Sequence, residues 1–133
     1  MYNRFIQPAL QAALADTPVV LIQGPRQAGK STLAQTVVRG TKGHYLTFDD
    51  ARTLASARSD PQAFVEAFDG PVILDEVQRL PEIFKAIKLA VDRKRTPGRF
   101  LLTGSANVLL LPDLSDSLAG RMEPLTLWPL SQA

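Results

Sequence analysis

The eight residues Gly24-Pro25-Arg26-Gln27-Ala28-Gly29-Lys30-Ser31 constrain this chain more than any other feature. They fit G-x-x-x-x-G-K-[ST], a pattern that a random chain of this length meets roughly once in two hundred. Context sharpens the match. Val19-Val20-Leu21-Ile22, short, apolar and rich in β-branched residues, reads as a strand buried on both faces. Residues 32–39 can be helical. The pattern therefore stands between a strand and a helix, where its mechanism needs it. Its glycines let backbone bend round a phosphate. The loop and the start of the next helix direct N–H groups at the anion. Lys30 is expected to project into a solvent-filled crevice rather than the core and to meet the β- and γ-phosphates. Ser31 offers a hydroxyl to Mg²⁺. A glycine-rich turn that binds nothing is the bland alternative.

The rest of the chain supplies the scaffold. Its 133 residues make one domain, with 45% hydrophobic and 21% charged residues, which excludes a disordered tail or a fibre. There is no cysteine and one histidine, His44, so thiolate zinc sites, cysteine nucleophiles and histidine-based metal sites are disfavoured. His44 itself reads as structural. The net charge of +2 does not by itself indicate nucleic acid. No run of about eighteen apolar residues suggests a membrane helix. The N-terminus does not read as a secretory signal, so the expected setting is cytoplasmic.

Strand and helix alternate along the chain. A helix is expected at about 8–15. Strands are expected at Tyr45-Leu46-Thr47-Phe48, Val72-Ile73-Leu74, Phe100-Leu101-Leu102 and residues 125–128. Asp60-Pro61 signals a helix start. Pro81 opens a helix with an apolar stripe of Ile83, Phe84, Ile87, Ala90 and Val91, ended by Pro97-Gly98. Strands joined by helical crossovers imply an α/β fold, a parallel sheet covered on both faces. The chain stops soon after the last expected strand, as an N-terminal piece of a longer protein would.

Three further groups carry candidate chemistry. Asp75 and Glu76 close the third strand, at the end that faces the phosphate loop's crevice. Asp75 can hold Mg²⁺ directly or through water, and Glu76 can polarise an attacking water; the plain alternative is helix capping. Thr103, Ser105 and Asn107, at and just beyond the fourth strand's end, could each touch the γ-phosphate or the water, or merely satisfy a turn. Arg121, before the last strand, either pairs locally or reaches a neighbouring subunit as an arginine finger. Arg93-Lys94-Arg95 with Arg99 fits a helix C-terminus better than a nucleic-acid patch. Asp49-Asp50 read as capping residues that could lie near the crevice.

GPRQAGKS, VILDEVQ, RFLLTGSAN and SLAGRM, in this order and spacing, resemble prokaryotic AAA+-type ATPases whose core precedes a C-terminal domain. The resemblance covers nearly the whole chain. It implies a three-layer P-loop NTPase fold, with a five-stranded parallel sheet of order 5-1-4-3-2. It makes Gly24 to Ser31 the Walker A loop, with Thr32 adjoining, and Asp75 and Glu76 the Walker B pair. Ser105 becomes the favoured sensor residue, and Arg121 falls where the family carries its arginine finger. The family continues through a lid and a C-terminal domain, so a chain ending here is expected to bind ATP weakly and hydrolyse it slowly.

The expected function is Mg²⁺-dependent ATP binding and hydrolysis. ATP is the expected ligand, and a homo-oligomer through Arg121 in trans the expected assembly. A nucleic-acid or protein partner is not strongly indicated. Two rivals stand beside this: a nucleotide-dependent switch with negligible turnover, and a phosphotransferase, against which Glu76 argues.

Overall fold

The computed structural model describes residues 6–25, 29–38, 43–68, 70–105, 108 and 111–127. The elements in order are α1 (Ile6–Asp16), β1 (Val19–Gln23), α2 (Lys30–Val38), β2 (His44–Thr47), α3 (Ala51–Ser59), α4 (Pro61–Glu66), β3 (Val72–Asp75), α5 (Ile83–Arg93), β4 (Phe100–Gly104), α6 (Pro112–Leu118) and β5 (Met122–Thr126). The strands form one parallel sheet of order β2-β3-β4-β1-β5, the expected 5-1-4-3-2 taken from its other edge. Among the described residues no helix is long and apolar enough to cross a membrane.

The alternation of side chains along each strand divides the core in two. Val19, Leu21, Val72, Leu74, Phe100 and Leu102 face the layer formed by α3 to α6. Val20, Ile22, Ile73 and Leu101 face α1 and α2 through Leu10, Ala13, Leu33 and Ala34. The apolar stripe expected on α5 is real: Ile83, Phe84, Ala86, Ile87, Ala90 and Val91 are all buried. Each large side chain of that stripe is worth roughly 1.5–3 kcal/mol of burial. At α4, the Asp60 carboxylate accepts from the Ala63 N–H at 3.1 Å and Pro61 fills the first turn, as their sequence implies.

Two elements differ from the sequence expectation by more than a shift of one or two residues at an end. For α3 the sequence offers only Asp49-Asp50 as capping residues and no extent, because its one fully buried position, Ala57, gives almost no apolar periodicity. β5 spans 122–126 rather than 125–128, and so takes in Pro124. The Val19 N–H donates to the Arg121 carbonyl, and the Leu127 N–H to that of Gln23. The odd-numbered residues of β5 therefore bond to β1, and Pro124 falls in the outward set. Its missing N–H costs the ladder nothing there, and it discourages a further strand from adding at this edge.

Gly24, where β1 ends, is fixed by the sheet as well as by any ligand. A Cβ there would lie 2.3 Å from the Leu127 carbonyl oxygen, on the chain leaving β5. Backbone on both sides of this contact is held, since the Gly24 N–H donates to the Gly104 carbonyl and the Leu127 N–H to that of Gln23. Gly24→Ala should therefore destabilise the protein by about 1–3 kcal/mol, the usual cost of overpacking. Urea denaturation of both proteins reads this; an unchanged midpoint would show that β5 can yield at Leu127.

Candidate functional site

The site is built where β1, β3 and β4 end. β4 lies between the other two, and neighbouring strands stand about 4.8 Å apart, so Gly24 and Asp75 are separated by about 10 Å across the sheet. Asp75 shares strand parity with Ile73, which faces α1 and α2. The acid therefore lies on the sheet face that carries α2, the helix that begins at Lys30.

Asp75 is 6% exposed and oriented from both sides. One carboxylate oxygen, Oδ2, accepts from the Thr47 hydroxyl at 2.8 Å and the Tyr45 hydroxyl at 3.2 Å. The other, Oδ1, accepts from the Thr103 hydroxyl at 2.5 Å. Thr103, fully buried on β4, also accepts from the Glu76 N–H at 3.1 Å. Of the polar residues proposed at the end of β4, Thr103 touches both acidic residues. Ser105 comes just beyond, its N–H donating to Gln78 at 3.3 Å. Asn107 lies outside the described residues.

Glu76 leaves the strand through a left-handed conformation, φ 60° and ψ 49°. Among the described residues no other non-glycine has a positive φ. That conformation costs a side-chain-bearing residue about 1–3 kcal/mol and concentrates at functional sites. A single 3₁₀ turn, Val77–Arg79, follows. Glu76 is therefore not a helix cap in the ordinary sense: its side chain makes no capping bond and accepts instead from Gln78 at 2.6 Å. Asp49, offered by the sequence as capping or crevice-lining, is drawn in by an ion pair with Arg79 at 3.0 Å. Asp50 stands at the N-cap of α3 without a side-chain capping bond.

Carboxylate oxygens of Asp49, Asp75 and Glu76 lie within 4.8 Å of one another. An all-oxygen set of this kind suits a hard cation such as Mg²⁺. The three hydroxyls around Asp75 leave it better placed to hold an ion's water shell than to replace it.

Lys30 departs from expectation. It is 5% exposed, and its ammonium donates to the carbonyls of Gly24 at 2.9 Å and Pro25 at 3.1 Å. A buried ammonium needs acceptors, and the loop's own backbone provides them. The charge is thus held inside the loop rather than out in solvent, and it belongs to neither apolar cluster. Gly29, at φ +83°, adopts a conformation that favours glycine and leads into α2. Arg26, Gln27, Ala28 and the Ser31 side chain lie outside the described residues, while Thr32 is on the first turn of α2.

Arg121 is far from all of this. Its carbonyl meets Val19 at the start of β1, about 16 Å from the loop at the strand's other end. Its guanidinium holds Asp92 through Nε at 2.8 Å and Nη2 at 3.1 Å. Those hydrogen bonds hold the Asp92 carboxyl below the usual carboxylate range and raise Arg121 above its own. The three arginines of the basic cluster are likewise engaged within the fold. Arg93 pairs with Glu66, Arg95 reaches the Gly120 carbonyl, and Arg99 caps α5 through the carbonyls of Ala90 and Lys94. His44 packs its ring against Phe68 at 5.4 Å.

The sequence reading missed Tyr45, Thr47 and Gln78. Thr47 just before Asp49-Asp50 was the available hint for one of them, and the Gln of VILDEVQ for another.

A family model described as an AAA domain matches residues 16–133. Uncharacterized proteins of Mycobacterium tuberculosis and Mycobacterium bovis are each 43% identical over 115 residues, covering 86% of this chain. The chain spans about a quarter of the length of those relatives, 26%. Among solved structures, the RuvB Holliday junction branch migration motor of Thermotoga maritima is similar with a TM-score of 0.63 and 21% identity, over 95% of this chain and 45% of that one. A Walker-type ATPase of Pyrococcus abyssi gives 0.61 and 16%, over 98% and 54%. A structure described as the basis for katanin self-assembly gives 0.61 and 14%, over 94% and 50%. At these identities the likeness is one of fold.

The Thr103 hydroxyl generates the clearest test. Thr103→Val keeps the shape but leaves Asp75 Oδ1 and the Glu76 N–H short of a partner, at a cost of about 1–3 kcal/mol. Thr103→Ser should recover most of that stability. Equal denaturation midpoints for the valine and wild-type proteins would show that the hydroxyl is dispensable.

Proposed function

This chain belongs to the AAA domain family, and on that premise we propose that it binds ATP with Mg²⁺ and hydrolyses the bond between the β- and γ-phosphates. The observation that carries the reading is the hydroxyl-held Asp75 followed by a left-handed Glu76, one strand away from the strand that feeds the glycine-rich loop.

In this reading the loop from Gly24 to Ser31, with Thr32, cradles the phosphates with its backbone N–H groups. Lys30 exchanges the carbonyls of Gly24 and Pro25 for phosphate oxygens, a move of its ammonium within the same loop. Ser31 and Asp75 would hold the Mg²⁺, which neutralises charge on the phosphates. Glu76 takes a proton from the attacking water. Its kinked backbone turns it away from the apolar strand toward the crevice, where a general base must come within hydrogen-bond reach of that water. Ser105, just past the end of the intervening strand, senses the γ-phosphate from between the two motifs, while Thr103, whose hydroxyl proton goes to Asp75, holds the acidic pair.

Arg121 serves a neighbouring copy. From the far end of β1 it does not reach its own loop, and it would have to leave Asp92 to act in trans. The chain is the ATPase core of a longer protein, in keeping with its quarter share of the curated relatives.

Two variants test the assignment. Lys30→Ala should abolish Mg-ATP binding by calorimetry with the fold intact, and unchanged affinity would remove the loop from the site. Glu76→Gln should retain ATP affinity and lose about 10²-fold or more in phosphate release. Equal turnover would reduce Glu76 to a structural residue.

A further inference from the structure

Gln78 is a polar side chain of the site that the proposed chemistry leaves without a task. It sits on the 3₁₀ turn after Glu76, and both ends of its amide are engaged. Nε2 donates to Glu76 Oε1 at 2.6 Å, and Oε1 accepts from the Ser105 N–H at 3.3 Å. The amide can stand only one way round. A backbone N–H can only donate, so it must face the amide oxygen, and the carboxylate acceptor must then face the NH₂.

The turn that carries Gln78 is itself fixed. Val77 is fully buried in the larger apolar cluster. Arg79 is tied to Asp49 at 3.0 Å. The Arg79 N–H donates to the Glu76 carbonyl at 3.1 Å, and the Leu80 N–H to that of Val77 at 3.0 Å. Gln78 therefore projects from a rigid base. It spans from the carboxylate at the end of β3 to the backbone just past the end of β4.

We propose that Gln78 is the positioning residue for Glu76: its amide fixes the direction of the Glu76 carboxylate and ties that direction to the backbone at Ser105. The inference rests on the reading of Glu76 as the group that activates water. A flexible glutamate on a strained backbone has several rotamers, and only those within hydrogen-bond reach of the water are productive. A reacting group displaced by about 1 Å can lose about 10²-fold in rate. Gln78 restricts that freedom through its bond to the Glu76 carboxylate. The link to Ser105 also makes the glutamate's aim depend on where the end of β4 stands.

The test is a kinetic cycle on the full chain, with Gln78→Ala, Glu76→Gln and the double variant, read by steady-state phosphate release from Mg-ATP. Gln78→Ala should lower kcat by about 10- to 100-fold with KM and calorimetric ATP affinity within about threefold. In the Glu76→Gln background it should cost nothing more, because the group it aims is gone. Gln78→Glu, similar in shape but unable to donate to a carboxylate when ionised, should reproduce the kcat loss and carries the test if the alanine variant does not fold. Unchanged or raised kcat, equal losses in affinity and rate, or losses that multiply in the double variant would each overturn the role of Gln78 alone. Full turnover in Glu76→Gln would overturn the parent reading and this one together.

Discussion

One hydroxyl joins the parts of this site. Thr103, fully buried on β4, donates to Asp75 and accepts from the Glu76 N–H, so both acidic residues are held by the strand that separates them from the glycine-rich loop. A buried hydroxyl that lost either partner would be costly, and this one has both. Its donation gives the Asp75 carboxylate a direction. Its acceptance supports Glu76 in a left-handed conformation that the residue would otherwise resist.

The sheet order makes that hydroxyl available. With β4 between β3 and β1, the end of β4 is the one strand terminus adjacent to both motifs. The same order brings Gly104 beside Gly24, whose N–H donates to its carbonyl. On the other side of β1, the chain leaving β5 sets its Leu127 carbonyl against Gly24. The loop is thus anchored at its first residue by both neighbouring strands, while Lys30 closes over it from the start of α2.

The opposite end of the sheet is occupied by arginines engaged within the fold. Arg121 holds Asp92, Arg93 holds Glu66, and Arg99 satisfies the last carbonyls of α5. The Arg121 pair adds stability above the ordinary aspartate range and loses it as pH falls through the lowered Asp92 pKa. Because Asp92 and Arg121 are solvent-accessible, that contribution is small and salt-sensitive. Arg121 can leave Asp92 at correspondingly little expense.

What the sequence determined by itself was local and periodic. The apolar run of β1 before Gly24 to Ser31, the two carboxylates closing β3 and the stripe of α5 are all written in residues a few positions apart. Propensity and pattern therefore suffice to read them. The extent of α3 was illegible because one buried alanine leaves no stripe, and the start of β5 because Pro124 looks like a stop until its nitrogen, which carries no hydrogen, is seen to face away from β1. Tertiary structure alone decided the rest. Thr47, Tyr45 and Thr103 reach Asp75 from 28 to 30 residues away, and Gln78 meets Ser105 across 27. Those partners become neighbours only when parallel strands are set side by side in register. No spacing along the chain encodes which hydroxyl will face which carboxylate, because that choice belongs to the sheet.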